Sequence, residues 1–161
     1  MKKIIIALDY DPGAEKVAQT GYELAKALQA EITLMHVIGN PAYYASAYSP
    51  IMGFTGFDET FMQTEDRSMH NEAKRFLEEV KQHLGDETIK ISVLDGEVDE
   101  AIMSFLSIQK ADMLVMGTHT RHGLDKLLMG NIAEKVLRHI QVPLVAVPTH
   151  VEETGKKQAS A

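Results

Sequence analysis

Residues 111–148 read ADMLVMGTHTRHGLDKLLMGNIAEKVLRHIQVPLVAVP, and the succession of patterns inside them decides the fold. An apolar run from Asp112 to Met116 stops at Gly117, and a polar loop bearing further glycines continues to Asn131. Asn131 is a good N-cap residue, Ile132 to His139 has helical spacing, and the Gln141-Val142-Pro143 turn leads into a second apolar run, Pro143 to Val147. Two apolar strands joined through a helix make a parallel unit whose strands are buried on both faces.

The same alternation extends toward the N-terminus, with strands expected at Lys3 to Leu8, Glu31 to Ile38 and Ile89 to Leu94. A first helix is expected to open with Asp11 as N-cap and Pro12 at its first position. It carries an apolar stripe through Ala14, Val17, Ala18, Gly21, Leu24, Ala25 and Leu28 and stops near Gln29. A second, about Glu65 to Leu84, places Met69, Ala73, Phe76, Leu77 and Val80 on one face and ends at Gly85; a third, Val98 to Gln109, buries Ile102, Phe105 and Leu106. The IIIAL and MLVM runs suit interior strands, whereas Lys90 and Ser92 break the third strand into an alternation that suits a charged edge. Right-handed crossovers then give an α/β fold with a five-stranded parallel sheet in the Rossmann-like order 3-2-1-4-5 and helices on both faces. Ligands bind such sheets where the strand order reverses, here between the first and fourth strands, so Asp9 and Gly117 are expected to meet there.

A length of 161 residues suits one domain, taken as 1–149, with the polar tail 150–161 expected to be disordered. There is no cysteine, which excludes thiolate metal sites, thiol catalysis and disulfides and fits the cytoplasm. A net charge of -7 disfavours a nucleic-acid partner, and no apolar stretch is long enough to span a membrane. The last strand, 143–148, carries no charge to discourage pairing, so a homodimer through that edge is expected unless the tail or a loop covers it. Between the second strand and second helix lies NPAYYASAYSPIMGFTGFDETF (40–61), with Tyr43, Tyr44, Tyr48, Phe54, Phe57 and Phe61 among prolines and glycines. This insert either covers a ligand pocket or a partner, or forms a satellite apolar cluster.

A loop that ends in a capped helix offers free backbone N–H groups and the positive end of a dipole, so phosphate can dock on it without basic side chains. Gly117 and Gly130 would let the backbone approach closely; equally, they could be turn residues beside a helix packed by Leu124, Leu127 and Leu128. Asp9 reads either as a ligand to a bound molecule or as a cap on the first turn, and Asp11 as an N-cap. His119, Arg121 and His122 can neutralise phosphate or simply face solvent, and their spacing lacks a third metal ligand, so no tightly bound metal is expected. Met113, Met116 and Met129 read as core.

The opening IIIALD, the HVI closing the second strand, ADMLVMGT, and MGNIAEKVLRHIQVPLVAVP together resemble the universal stress protein (UspA) family, a likeness running from Lys3 to about Pro148. ATP-binding members share a loop of glycine, two residues, glycine, nine residues, then glycine followed by serine or threonine. That frame falls on Gly117, Thr120, Gly130 and Asn131, so two of its four positions depart from the pattern. A left-handed backbone at position 120 would cost threonine roughly 1–2 kcal/mol. Asn131 can cap and hydrogen-bond but lacks the small hydroxyl. The resemblance implies that Asp9 sits by the ribose or adenine and that the Val37 backbone faces the base. Met116, Gly117, His119, Thr120, Gly130, Asn131 and Ile132 then surround the phosphates of ATP or another adenine nucleotide, with Mg as counter-ion.

Four functions compete: a non-catalytic nucleotide-binding stress-response module, an enzyme, a receiver domain, and a dimerising stress-response scaffold that has lost its nucleotide. The enzyme reading lacks a Walker lysine and a base paired with an activated nucleophile. The receiver reading needs order 2-1-3-4-5 to gather Asp9, Asp11 and Asp95, and a lysine where Val147-Pro148 stands. Departures at Thr120 and Asn131 favour the scaffold; the rest of the frame favours the nucleotide module.

Overall fold

The computed structural model describes residues 2–10, 12–39, 59–118 and 132–149, and of residues 59–66 only the helical backbone. Within them the strands are β1 (Lys3–Ala7), β2 (Glu31–Ile38), β3 (Lys90–Asp95), β4 (Met113–Gly117) and β5 (Leu144–Val147). The helices are α1 (Ala14–Ala27), α2 (Glu59–Leu84), α3 (Val98–Gln109) and α4 (Ile132–His139). Every strand pairing is parallel and the order is β3-β2-β1-β4-β5, as strand character implies and as the receiver reading forbids.

The central position of β1 follows from its consecutive isoleucines. Ile4 and Ile6 face α1 and α2 in a core with Val17, Ala18, Ala25, Leu34, Leu77 and Val115. Ile5 faces the other way, into a core with Ile102, Phe105 and Leu106 of α3 and Val136 of α4. A strand that feeds both cores cannot lie at an edge, because an edge position would leave it half solvated. Helix α1 crosses β1 closely: a Cβ on Gly21 would stand 2.6 Å from Cδ1 of the buried Ile6, so glycine is needed there for contact rather than for flexibility.

Helix α1 opens later than its sequence suggests. Gly13, not Asp11, is the N-cap, without a side-chain cap bond, and Pro12 lies in the preceding turn rather than in the helix. Asp11 itself lies outside the described residues. The chain must first turn away from the sheet, and Val17 N–H to Gly13 C=O at 3.1 Å is the bond that starts the helix. Helix α2 begins at Glu59, earlier than its apolar stripe, which starts only at Met69. Strands β3 and β4 sit one residue later than expected.

Helix C-termini close with left-handed residues. Gly85 (φ 68°) ends α2 as expected, while Gln29 (φ 53°) and Lys110 (φ 51°) do the same for α1 and α3 without being glycine. At Lys110 the amide bonds the Ser107 carbonyl at 3.2 Å and the Ala111 amide bonds that of Leu106 at 2.9 Å, so the turn's bonds are worth keeping despite the strain. Lys110→Gly is therefore expected to raise stability by roughly 0.5–1 kcal/mol, read as a higher urea midpoint at unchanged slope. A lower midpoint would mean that the side chain contributes more than the backbone strain costs.

Candidate functional site

Strands β1 and β4 are neighbours, yet the helices that follow them, α1 and α4, cover opposite faces. The strand order therefore reverses between β1 and β4, which is the geometry of a switch point. Ala7 pairs with Met35 on one side and with Met116 on the other. Asp9 follows β1 by two residues, Val37 lies two residues beyond Met35, and Gly117 ends β4 one residue beyond Met116.

Among the expected site residues, the structure thus gathers Asp9, Val37, Met116 and Gly117 at adjacent strand ends. The side chains of Val37 and Met116 are buried in the core that α3 and α4 cover, and Ile132 at the start of α4 packs against the same core. Their backbones, rather than their side chains, are what the rim can offer. His119, Thr120, Gly130 and Asn131 lie outside the described residues, as do Arg121, His122, Met129, the tail 150–161 and residues 40–58 of the insert.

Asp9 is half-buried, and its Oδ1 accepts the backbone N–H of Tyr10 at 2.8 Å, so the carboxylate caps the turn off β1. Gly117 has a packing reason for being glycine. A Cβ there would stand 3.0 Å from Cγ2 of Thr149 and 3.3 Å from Cγ2 of Val17, so a side chain would require these neighbours to give by a few tenths of an ångström. The chain beyond β5 is held in that place by Thr118 N–H to Val147 C=O at 3.0 Å and by Lys16 Nζ donating to the Pro148 carbonyl at 2.8 Å. The buried Thr149 was invisible to sequence reading, because nothing local shows that the chain after the last strand crosses Gly117.

His36 is the other residue that sequence reading left without a role. It is buried, its Nδ1 lies 2.8 Å from the Leu8 carbonyl oxygen, and its ring centroid is 4.6 Å from that of Tyr10. Tyr10 in turn lies 4.9 Å from Phe76 of α2. A lone imidazole inside an otherwise apolar strand was the available signal.

Hydrogen bonds from the Thr88 hydroxyl and amide, helped by Lys26, hold the pKa of Asp86 down to about 2. Asp86 precedes β3 and so belongs to the opposite edge of the sheet, where it serves the turn after α2. Among the described residues no cluster of three or more His, Cys, Asp or Glu could hold a metal ion, and no helix is long and apolar enough to cross a membrane.

The model of the universal stress protein family matches residues 1–148. The chain belongs to the universal stress protein family. Among curated relatives, Universal stress protein MJ0531 of Methanocaldococcus jannaschii is 28% identical over 148 residues, covering 91% of this chain and 81% of that one. The solved structure of MJ0577, from the same organism, has a TM-score of 0.72 at 23% identity, covering 91% of this chain and 95% of its own. A universal stress protein solved in complex with cAMP has a TM-score of 0.62 at 16% identity, covering 92% and 98%. The universal stress protein of Archaeoglobus fulgidus, solved in complex with dAMP, has a TM-score of 0.59 at 19% identity, covering 91% and 97%. At these identities the solved structures speak to the fold that this universal stress protein shares with them.

Proposed function

We propose that this chain is a non-catalytic, adenine-nucleotide-binding module of the stress response, acting in the cytoplasm as a homodimer. The observation that carries the reading is the register of β1 beside β4, which brings the end carrying Asp9 to the end carrying Gly117 where the following helices diverge. Family members complexed with cAMP and with dAMP support adenine nucleotide as the ligand class. In this reading the Asp9 carboxylate takes the ribose, the backbone at Val37 faces the base, and Met116, Gly117, His119, Thr120, Gly130, Asn131 and Ile132 enclose the phosphates. ATP would bring Mg as its counter-ion, while the protein supplies amides and a helix start rather than metal ligands. Strand β5, which ends the sheet, is the surface for pairing with a second copy, since Leu144–Val147 has no charge along it.

The rival reading, a dimerising scaffold without nucleotide, is favoured by Thr120 and Asn131. Calorimetric titration with ATP, ADP and AMP, after any retained ligand has been removed, separates the two. Saturable binding supports the module, and no heat with any of the three leaves the scaffold. With no tryptophan and five tyrosines the chain absorbs weakly at 280 nm, so a retained nucleotide would show as a dominant band near 260 nm. Thr120→Gly is expected to tighten ATP binding by up to roughly tenfold, the equivalent of the backbone strain relieved. A neutral or weaker result in the same titration would show that position 120 imposes no such strain.

A further inference from the structure

Beyond β1, which ends at Ala7, the chain turns through Leu8 to Tyr10 at the C-terminal rim of the sheet. Leu8 still bonds β2 through its amide, which donates to the Met35 carbonyl at 2.9 Å. The Leu8 carbonyl is held by a side chain: Nδ1 of His36 lies 2.8 Å away. A carbonyl oxygen can only accept, so the proton is on Nδ1 and the imidazole is the donor. Both polar groups of Leu8 are thus tied to successive residues of β2, and Asp9 is the first residue released from the sheet. The ring also backs Tyr10, with centroids 4.6 Å apart, and Phe76 of α2 closes the trio at 4.9 Å from Tyr10.

We propose that His36 is a positioning residue. By holding the Leu8 carbonyl, its Nδ1–H sets where the Leu8–Asp9–Tyr10 turn stands and thereby tunes the affinity of the rim for adenine nucleotide. The second half rests on the proposed function; the first does not. Buried at 3% exposure, the imidazole has no access to a ligand of its own, so it acts through the turn rather than by touching nucleotide. A leucine or phenylalanine would satisfy an apolar strand equally well, and the donor nitrogen is what distinguishes histidine from them. Supporting residues of this kind hold a contacting group to within fractions of an ångström, and their loss appears as lost affinity with the fold retained.

Two functions of the ring can be separated by substitution. In His36→Asn the side-chain amide places an N–H donor close to where Nδ1–H was but removes the ring from Tyr10 and Phe76. In His36→Phe the ring remains and the donor is lost; His36→Leu is a smaller donor-less variant should phenylalanine not be accommodated. The full-length chain and each variant are titrated with AMP by calorimetry, melted, and compared ligand-free by the amide resonances of Asp9 and Tyr10. The expected result is a crossed one. His36→Asn melts lower but binds within about threefold of the unsubstituted chain, whereas the donor-less variants bind about tenfold more weakly whatever their melting temperature. The Asp9 and Tyr10 amides move in the donor-less variants and stay in place in His36→Asn. If affinity follows melting temperature across the set, or if the two amides stay in place without the donor, the positioning role is wrong and His36 only fills the core. If the unsubstituted chain binds none of AMP, ADP and ATP, the nucleotide reading fails separately, and the ligand-free resonances still decide whether His36 positions the turn.

Discussion

Asp9→Ala is expected to weaken adenine-nucleotide binding by about ten- to a hundredfold, with little change in the urea midpoint. The carboxylate is half-buried at the end of a central strand, and the bond it makes there is a local one to the Tyr10 amide, whose loss costs about 0.5–1 kcal/mol. A bound ribose would gain more, since two hydroxyls can donate to one charged carboxylate and such bonds contribute roughly 1.5–3 kcal/mol each. The sign of the charge decides which part of the nucleotide Asp9 meets. On a chain with net charge -7, a carboxylate beside the phosphates would add to the repulsion, so the proposed site has Asp9 on the sugar side of the nucleotide. Asp9→Asn should fall between the two, keeping an acceptor and losing the charge. Unchanged affinity for AMP in calorimetric titration of Asp9→Ala would remove this residue from the site.

Leu77→Ala is expected to have the largest effect on stability, a loss of about 2–5 kcal/mol. Leu77 is fully buried under α2, in the core that also takes Ile4, Ile6, Val17 and Leu34, with Ala73 buried one turn before it on the same helix. Leu77 shares one packed cluster with residues of α1 and of the sheet, so removing its side chain leaves space that those neighbours must move to fill. The measurement is urea unfolding, with the midpoint falling and the slope unchanged. A loss below about 1 kcal/mol would mean that α2 is not seated on the sheet through this residue.

Sequence patterns settled the sheet because the relevant physics is local to each strand. Three consecutive isoleucines bury both faces of β1, and Lys90 with Ser92 suits β3 to an edge; right-handed crossovers then allow the order 3-2-1-4-5, which is the observed one. Boundaries were less legible where a local signal competed with a tertiary one. Asp11-Pro12 has the composition of a helix start, yet Pro12 lies in the turn before the helix and α1 opens at Ala14. Gln29 and Lys110 close helices in the left-handed conformation although neither type advertises it, because the bonds they complete outweigh the strain.

The candidate site was half legible. Strand order alone implied that the ends of β1 and β4 meet, and the register pairs Ala7, two residues before Asp9, with Met116, one residue before Gly117. Contacts made by residues distant in sequence were not readable: Thr149 filling the space where a side chain on Gly117 would be, Lys16 holding Pro148, and His36 holding Leu8. Each depends on how far one chain segment runs past the sheet relative to another, and no periodicity encodes that.

The central claim is that adenine nucleotide binds in the crevice between β1 and β4, and amide chemical-shift mapping during an AMP titration of the full-length chain tests it most directly. Saturable shifts concentrated at Leu8 to Tyr10, at Val37 to Gly39, at Met116 to Thr118 and at Ile132 to Ala133 are the predicted result. Shifts gathered elsewhere, for example around Asp95 to Ala101 beside α3, or no shifts at millimolar AMP, would contradict it.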